Sequence, residues 1–177
     1  MPITDFEPVP RRTRSVKARR WLGLLGGLWL LLGITAGALW YWIVPLPTYA
    51  VTSEGFAATS ERGLADYVAG DAWFVLIGLV LGVVSGLLCW RWFGGLGWPV
   101  VPLAVAGSLT MGLLCWLVGW LLGPGPLEQR VAAAHSGEVL AIELTVRGPV
   151  ALLVWPFAAC LVLMLLSALT ADPEDHR

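Results

Sequence analysis

Four stretches of the chain contain no charged residue, and their lengths suit membrane spans. They cover residues 21–53, 72–90, 92–127 and 148–171. A charged side chain at mid-bilayer costs about 2.5 kcal/mol or more, and a helix needs about 20 mainly apolar residues to cross the hydrocarbon. Only 13% of the 177 residues are charged, against about 25% in a soluble domain. The sequence therefore predicts an all-α integral membrane protein with four transmembrane helices.

Prolines and charges set the expected boundaries. Proline cannot continue a helix, so the first and third helices should end near Pro45 and Pro124. We expect a basic tail over 1–20, a membrane domain over 21–171 and an acidic tail over 172–177. Within the membrane domain, the helices should lie at about 21–44, 72–93, 98–123 and 149–171, and the two long loops at 45–71 and 124–148. The helices form two similar hairpins, which leaves open whether the second arose by duplication.

The placement of Lys and Arg predicts the orientation. Seven of them lie in the N-terminal tail and in the link that holds Arg91, and three lie in the two long loops. Because Lys and Arg are retained on the cytoplasmic side, both hairpins should start inside. Both termini are then cytoplasmic, in a multi-pass protein of a bacterial cytoplasmic membrane. The first span is longer than the roughly 7–15 apolar residues of a signal peptide, so it should remain as an anchor. Trp40 is expected at the outer interface, and Trp155 in the packed interior.

The two long loops carry β-strand patterns. Residues 49–53 and 56–60 have the composition of two short strands, and residues 139–146 alternate between apolar and polar. Because three strands are more stable together than one hairpin, we expect a small β-containing extracytoplasmic cap, with two disordered loops as the alternative. The candidate outer-face interaction residues in these loops are Tyr49, Glu54, Phe56, Asp66, Asp71, Glu143 and Arg147.

Small residues recur at four-residue spacing in three helices. In lipid, helices associate through close backbone approach at such positions. The stripes predict tight contacts of the second helix with the first or the third, either within one chain or between chains. The predicted helix-packing residues are Gly33, Gly37, Gly78, Gly82, Gly86, Ala104, Ser108 and Gly112.

No catalytic, cofactor or metal site can be assembled from the sequence. Ion-coupled carriers and proton relays usually place ionisable groups within a span, and the four stretches contain no Asp, Glu, Lys or His. The three cysteines lie in predicted helices, where we expect small buried apolar side chains. His135 near Glu138 is too little for a metal site. We therefore expect no catalytic residues, no metal and no cofactor.

Short motifs stand at three helix positions. They are Asp71-Ala72-Trp73-Phe74 before the second helix, Gly123-Pro124-Gly125-Pro126 after the third, and Trp155-Pro156 in the fourth. With these motifs the chain resembles, over about residues 20–170, a family of small four-pass actinobacterial membrane proteins defined only as a domain of unknown function. The resemblance implies four passes and a GC-rich actinobacterial host. It implies no activity and no catalytic residues.

These features favour a non-enzymatic membrane protein, a scaffold or accessory subunit of bacterial cell-envelope machinery. The expected partners are the lipid bilayer and either another membrane protein or a second copy of the chain. The basic tail would also suit anionic lipid or nucleic acid, but nucleic acid is not expected as a partner. One alternative is a small oligomeric channel or uncoupled transporter. The other is an enzyme that acts on lipid-linked envelope precursors through carboxylates such as Asp66 and Asp71.

Overall fold

The structure is a computed structural model in which residues 12–46, 48–51, 57–58, 61–125, 127–135 and 138–170 are described. Its helices are α1 (Arg12–Ile43), α2 (Glu61–Phe93), α3 (Val100–Leu122), α4 (Leu127–Ala133) and α5 (Val150–Thr170). All but the short α4 are long and apolar enough to cross a membrane. The prediction of four helices that are long and apolar enough to span a membrane is confirmed.

Helices α1 and α2 extend beyond their predicted spans. Helix α1 begins at Arg12, inside the predicted basic tail, and α2 begins at Glu61, inside the predicted loop over 45–71. Arg, Lys and Glu are good helix formers, so a charge marks where lipid ends but not where a helix ends. The candidate membrane spans that include these two helices are Arg19–Ile43 and Val68–Leu96, and the second continues past α2 into the turn Gly94–Leu96.

The bundle places α1 beside α3 and α2 beside α5. Residues meet in the same order along both helices of each pair, so the two helices of a pair run parallel. Helices α1 and α2 are antiparallel, because Trp21 stacks near Trp92 at one end and Trp40 lies near Phe74 at the other. The start of α1 and the end of α5 therefore share one end of the bundle, the terminal end. The connections from α1 to α2 and from α3 to α5 share the other, the loop end.

A three-stranded antiparallel sheet joins the two long connections. In spatial order its strands are β2 (Ala57–Ala58), β1 (Thr48–Val51) and β3 (Val139–Ala141). Tyr49 of the central strand pairs with Leu140. The strands are shorter than the predicted segments, but the alternation continues past β3, since Leu140, Ile142 and Leu144 are all buried. The chain after β3 is thereby held against the bundle.

Three aromatic rings fill the loop-end half of the core. Trp40, Phe74 and Trp155 are completely buried, and the Phe74 ring lies 5.2 Å from Trp40 and 5.4 Å from Trp155. Trp40, which we expect at the outer interface, lies three residues before the end of α1, with its ring buried inside the bundle. Its ring fits over Gly119, and its Nε1 donates a hydrogen bond to the carbonyl of Gly70 at 2.9 Å. Its bonded N–H group allows a polar atom to be buried there.

Candidate functional site

Asp71 lies on α2 and links that helix to the start of α5. Its Oδ1 accepts a hydrogen bond from the backbone N–H of Arg147, and its Oδ2 accepts one from Gly148, each at 3.3 Å. The amides of Arg147 and Gly148 lie outside any helix, just before Pro149 and the start of α5 at Val150. Negative charge is also favourable near a helix N-terminus. Both carboxylate oxygens of Asp71 therefore hold the backbone that leads into α5.

Of the other outer-face candidates, the structure describes the side chains of two, Glu143 and Arg147. Glu143 is half-buried in the segment after β3, and the side chain of Arg147 is exposed. The side chains of Tyr49 and Asp66, and all of Glu54 and Phe56, lie outside the described part of the chain. Asp71 contacts the backbone of Arg147, and Tyr49 pairs with Leu140 in the sheet.

Charged groups also order the connection between α3 and α5. Arg130 Nη1 donates to the carbonyl of Ala141 at 2.6 Å, which joins α4 to β3. Glu138 Oε2 accepts from the backbone N–H of His135 at 3.1 Å. Within the described residues, no three His, Cys, Asp or Glu side chains are grouped to hold a metal ion. The described polar contacts of this connection thus organise its backbone.

The glycine stripe of α2 forms its contact surface for α5. A Cβ atom added to Gly82 would lie 2.5 Å from the carbonyl oxygen of Trp155, and one added to Gly86 would lie 2.7 Å from that of Ala159. Gly78 leaves the space that the Trp155 indole occupies. The sequence suggested α1 or α3 as the partner of this stripe, and the structure corrects that to α5. The large ring of Trp155 fits only where small residues face it.

Gly33 and Gly37 of α1 pack on α3 in the same manner. A Cβ atom at Gly33 would lie 3.0 Å from the Met111 carbonyl oxygen, and one at Gly37 would lie 2.7 Å from that of Cys115. The predicted small residues of α3 are also buried within the chain: Ala104, Ser108 and Gly112. The small-residue faces of α1, α2 and α3 are therefore covered by other helices of the same chain.

Few polar side chains are buried in the bundle. Trp29 Nε1 donates to Ser85 Oγ at 3.0 Å and links α1 to α2, a contact that the sequence did not suggest. Ser108 Oγ donates to the Ala104 carbonyl of its own helix at 2.7 Å. Trp155 Nε1 is buried, and none of the described residues accepts a hydrogen bond from it.

Two apolar grooves open on the surface of the bundle. The turn groove, of about 610 Å³, lies at the terminal end between the α2–α3 turn and α5; its lining includes Trp90, Trp98, Phe157, Cys160, Met164 and Ser167. The α1–α2 groove, of about 480 Å³, lies nearer the loop end; its lining includes Leu32, Leu39, Trp73 and Val80. Sequence patterns could not reveal either groove, because each depends on the angle between helices.

No family model matches the chain, and searches of curated proteins and of solved structures found no match. The resemblance to an actinobacterial family thus stays a prediction. Function has to be argued from the geometry described above.

Proposed function

We propose that this chain is a non-enzymatic integral membrane protein that serves as a scaffold or accessory subunit of cell-envelope machinery. It would act in a bacterial cytoplasmic membrane, with the terminal end in the cytoplasm and the sheet as a cap on the outer face. The observation that carries the proposal is a contrast between the described polar side chains, which make contacts within the chain, and the apolar surface of the spans, much of which faces outward. The described polar contacts hold backbone groups or join helices, while only 28% to 39% of the residues in an 18-residue apolar stretch of each span are buried inside the chain.

The outward surface suits an apolar partner. Trp42 is 83% exposed, Phe157 64% and Leu169 81%. In water, contiguous surfaces of this kind mark interaction sites or cause aggregation, whereas in a membrane they contact lipid or another helix. Since the glycine faces are already covered by α3 and α5, a partner would have to use the large side chains or the grooves.

The alternatives receive less support from this geometry. Asp71, a carboxylate considered for catalysis, already accepts two backbone hydrogen bonds. Trp40, Phe74 and Trp155 fill the loop-end half of the bundle, so a pore would have to run between the chains of an oligomer. A conducting path also needs suitable polar groups along it, and the buried polar side chains of the described bundle are Ser85 and Ser108.

Affinity purification from native membranes tests the proposal. The tagged full chain is extracted in mild detergent, and the proteins bound to it are identified by mass spectrometry. We expect a reproducible set of envelope proteins that an equally tagged, unrelated four-pass protein does not retain. A Gly82→Val variant, in which α5 cannot dock on α2, should lose this set. Recovery of the chain alone, as a monomer, would contradict the proposal.

A further inference from the structure

We propose that the turn groove binds one anionic phospholipid, with an acyl chain in the groove and the phosphate headgroup at the terminal end of the bundle. This goes beyond the scaffold function and does not depend on it. It also holds for either orientation in the membrane, because the groove and the basic residues share the same end.

The depth of the turn groove matches one leaflet. Helix α5 lines it from Phe157 to Ser167, which is ten residue steps and about 15 Å at the rise of an α-helix. The hydrocarbon core is about 30 Å thick, so the groove extends from the interface to near the midplane. Its volume of about 610 Å³ falls within the range of roughly 300–1,000 Å³ that is common for ligand sites.

The lining of the turn groove is apolar in depth and aromatic at the terminal end. Val100 and Leu163 are its buried residues, and the side chain of Met164 is 61% exposed along it. Trp90 and Trp98 line the part nearest the α2–α3 turn, and Trp side chains favour the headgroup level. Such a lining suits a hydrocarbon chain that enters from the interface.

Cationic residues are concentrated at the same end. Arg91 follows Trp90 directly and is exposed, and the contact of Trp21 with Trp92 at 5.3 Å places the exposed Arg20 near that level. Residues 1–20, 91–99 and 171–177 together hold eight Lys or Arg and five Asp or Glu, whereas residues 45–71 and 124–148 hold three and seven. This surplus attracts an anionic headgroup.

The α1–α2 groove differs from the turn groove because it lies nearer the acidic loop end. The α1–α2 groove runs from Leu32 to Ile43 along α1, toward the end where the acidic residues are concentrated. An anionic headgroup placed there would meet like charge. Charge complementarity therefore selects the turn groove for this lipid.

Native mass spectrometry of the full chain tests the proposal. The protein in mild detergent is offered equal amounts of phosphatidylglycerol and phosphatidylcholine with identical acyl chains. We expect one retained lipid, with phosphatidylglycerol preferred. Met164→Trp fills the groove and should lower retention of both lipids about tenfold, the effect of excluding roughly two methylene groups. Leu169→Trp makes the same change at an 81% exposed position of α5 outside the lining and should change nothing.

A second pair of variants tests the headgroup. Arg91→Gln should lower the preference for phosphatidylglycerol about fivefold, the contribution of one cation near an anionic surface. Arg62→Gln, at the loop-end start of α2, should leave it unchanged. The proposal is overturned if the wild-type chain retains both lipids equally, or if Met164→Trp retains lipid as well as the wild type does. It is also overturned if the wild-type chain is a dimer that Met164→Trp dissociates, because a second copy of the chain would then occupy the groove. If Met164→Trp does not fold, Leu161→Trp at another lining position replaces it.

Discussion

Trp29 and Trp155 are both buried in the bundle, but their indole N–H groups differ in bonding. The N–H of Trp29 has Ser85 Oγ as its acceptor, whereas that of Trp155 has none among the described residues. A buried donor without an acceptor costs about 1–3 kcal/mol. Trp155 is therefore held by packing alone, against Gly78, Gly112 and the Phe74 ring. Its motif was visible in the sequence, but its neighbours were not.

Replacement of Ser85 tests the value of the Trp29 hydrogen bond. We expect Ser85→Ala to lower the free energy of unfolding by about 1 kcal/mol, because a second indole N–H then lacks an acceptor. Ser108→Ala is the matched control, since that hydroxyl bonds a carbonyl of its own helix. It should cost clearly less. Unfolding in mixed detergent micelles measures both, and equal effects would show that the interhelical bond contributes little.

Replacement of Asp71 tests its role at the start of α5. We expect Asp71→Ala to destabilise the protein by about 1 kcal/mol, as the loss of a helix cap does, and to speed amide exchange at Arg147 and Gly148. Asp71→Asn keeps one acceptor oxygen and should fall between the wild type and Asp71→Ala. Hydrogen exchange of the peptide over residues 145–152 gives the readout. Unchanged exchange in both variants would leave the carboxylate free for another task.

At the scale of helices, the sequence predicts ends better than partners. Helices α1 and α3 end at Ile43 and Leu122, within two residues of Pro45 and Pro124, because proline removes a donor and excludes the helical conformation before it. The start of α2 was missed because the charged residues Glu61, Arg62 and Asp66 are compatible with a helix. A glycine stripe shows that another backbone comes close, but not which one.

A single added methyl group tests the α2–α5 contact. We expect Gly82→Ala to destabilise the bundle by about 1–3 kcal/mol, since its Cβ would meet the Trp155 carbonyl oxygen and force the helices apart. Gly27→Ala on α1 is the control, because a Cβ there meets nothing within 4 Å. It should be neutral or slightly stabilising, as Ala favours helix over Gly. Unfolding measurements of the two variants in one detergent compare them, and equal stability would argue against close packing here.

At the scale of the whole molecule, the two ends of the bundle differ in charge, and packing brings together helices that are distant in the sequence. The four spans follow from hydropathy alone, because lipid excludes charge everywhere along them. The association of α1 with α3 and of α2 with α5 does not, because it depends on the shapes of Trp29, Trp155 and the glycines opposite them. The Lys and Arg bias predicts the orientation, which can be measured directly.

Cysteine labelling tests the orientation. Gly95 in the α2–α3 turn and Gly125 after α3 are both exposed, and a Cβ at either meets nothing within 4 Å. In intact cells, a membrane-impermeant maleimide should label Gly125→Cys and leave Gly95→Cys unlabelled until the membrane is opened. The wild-type chain is the background control, since Cys89 and Cys115 are buried and Cys160 is half-buried. The reverse pattern would invert the protein in the membrane.

The pairing of α2 with α5 also has a consequence for biogenesis. Helix α5 is synthesised after α2, α3 and α4, so α2 enters the bilayer well before the helix that covers its glycines exists. During that interval the face formed by Gly78, Gly82 and Gly86 is open to any neighbouring helix. A nascent chain that stalls before α5 therefore exposes a surface to which other helices can bind, and the synthesis of α5 covers it.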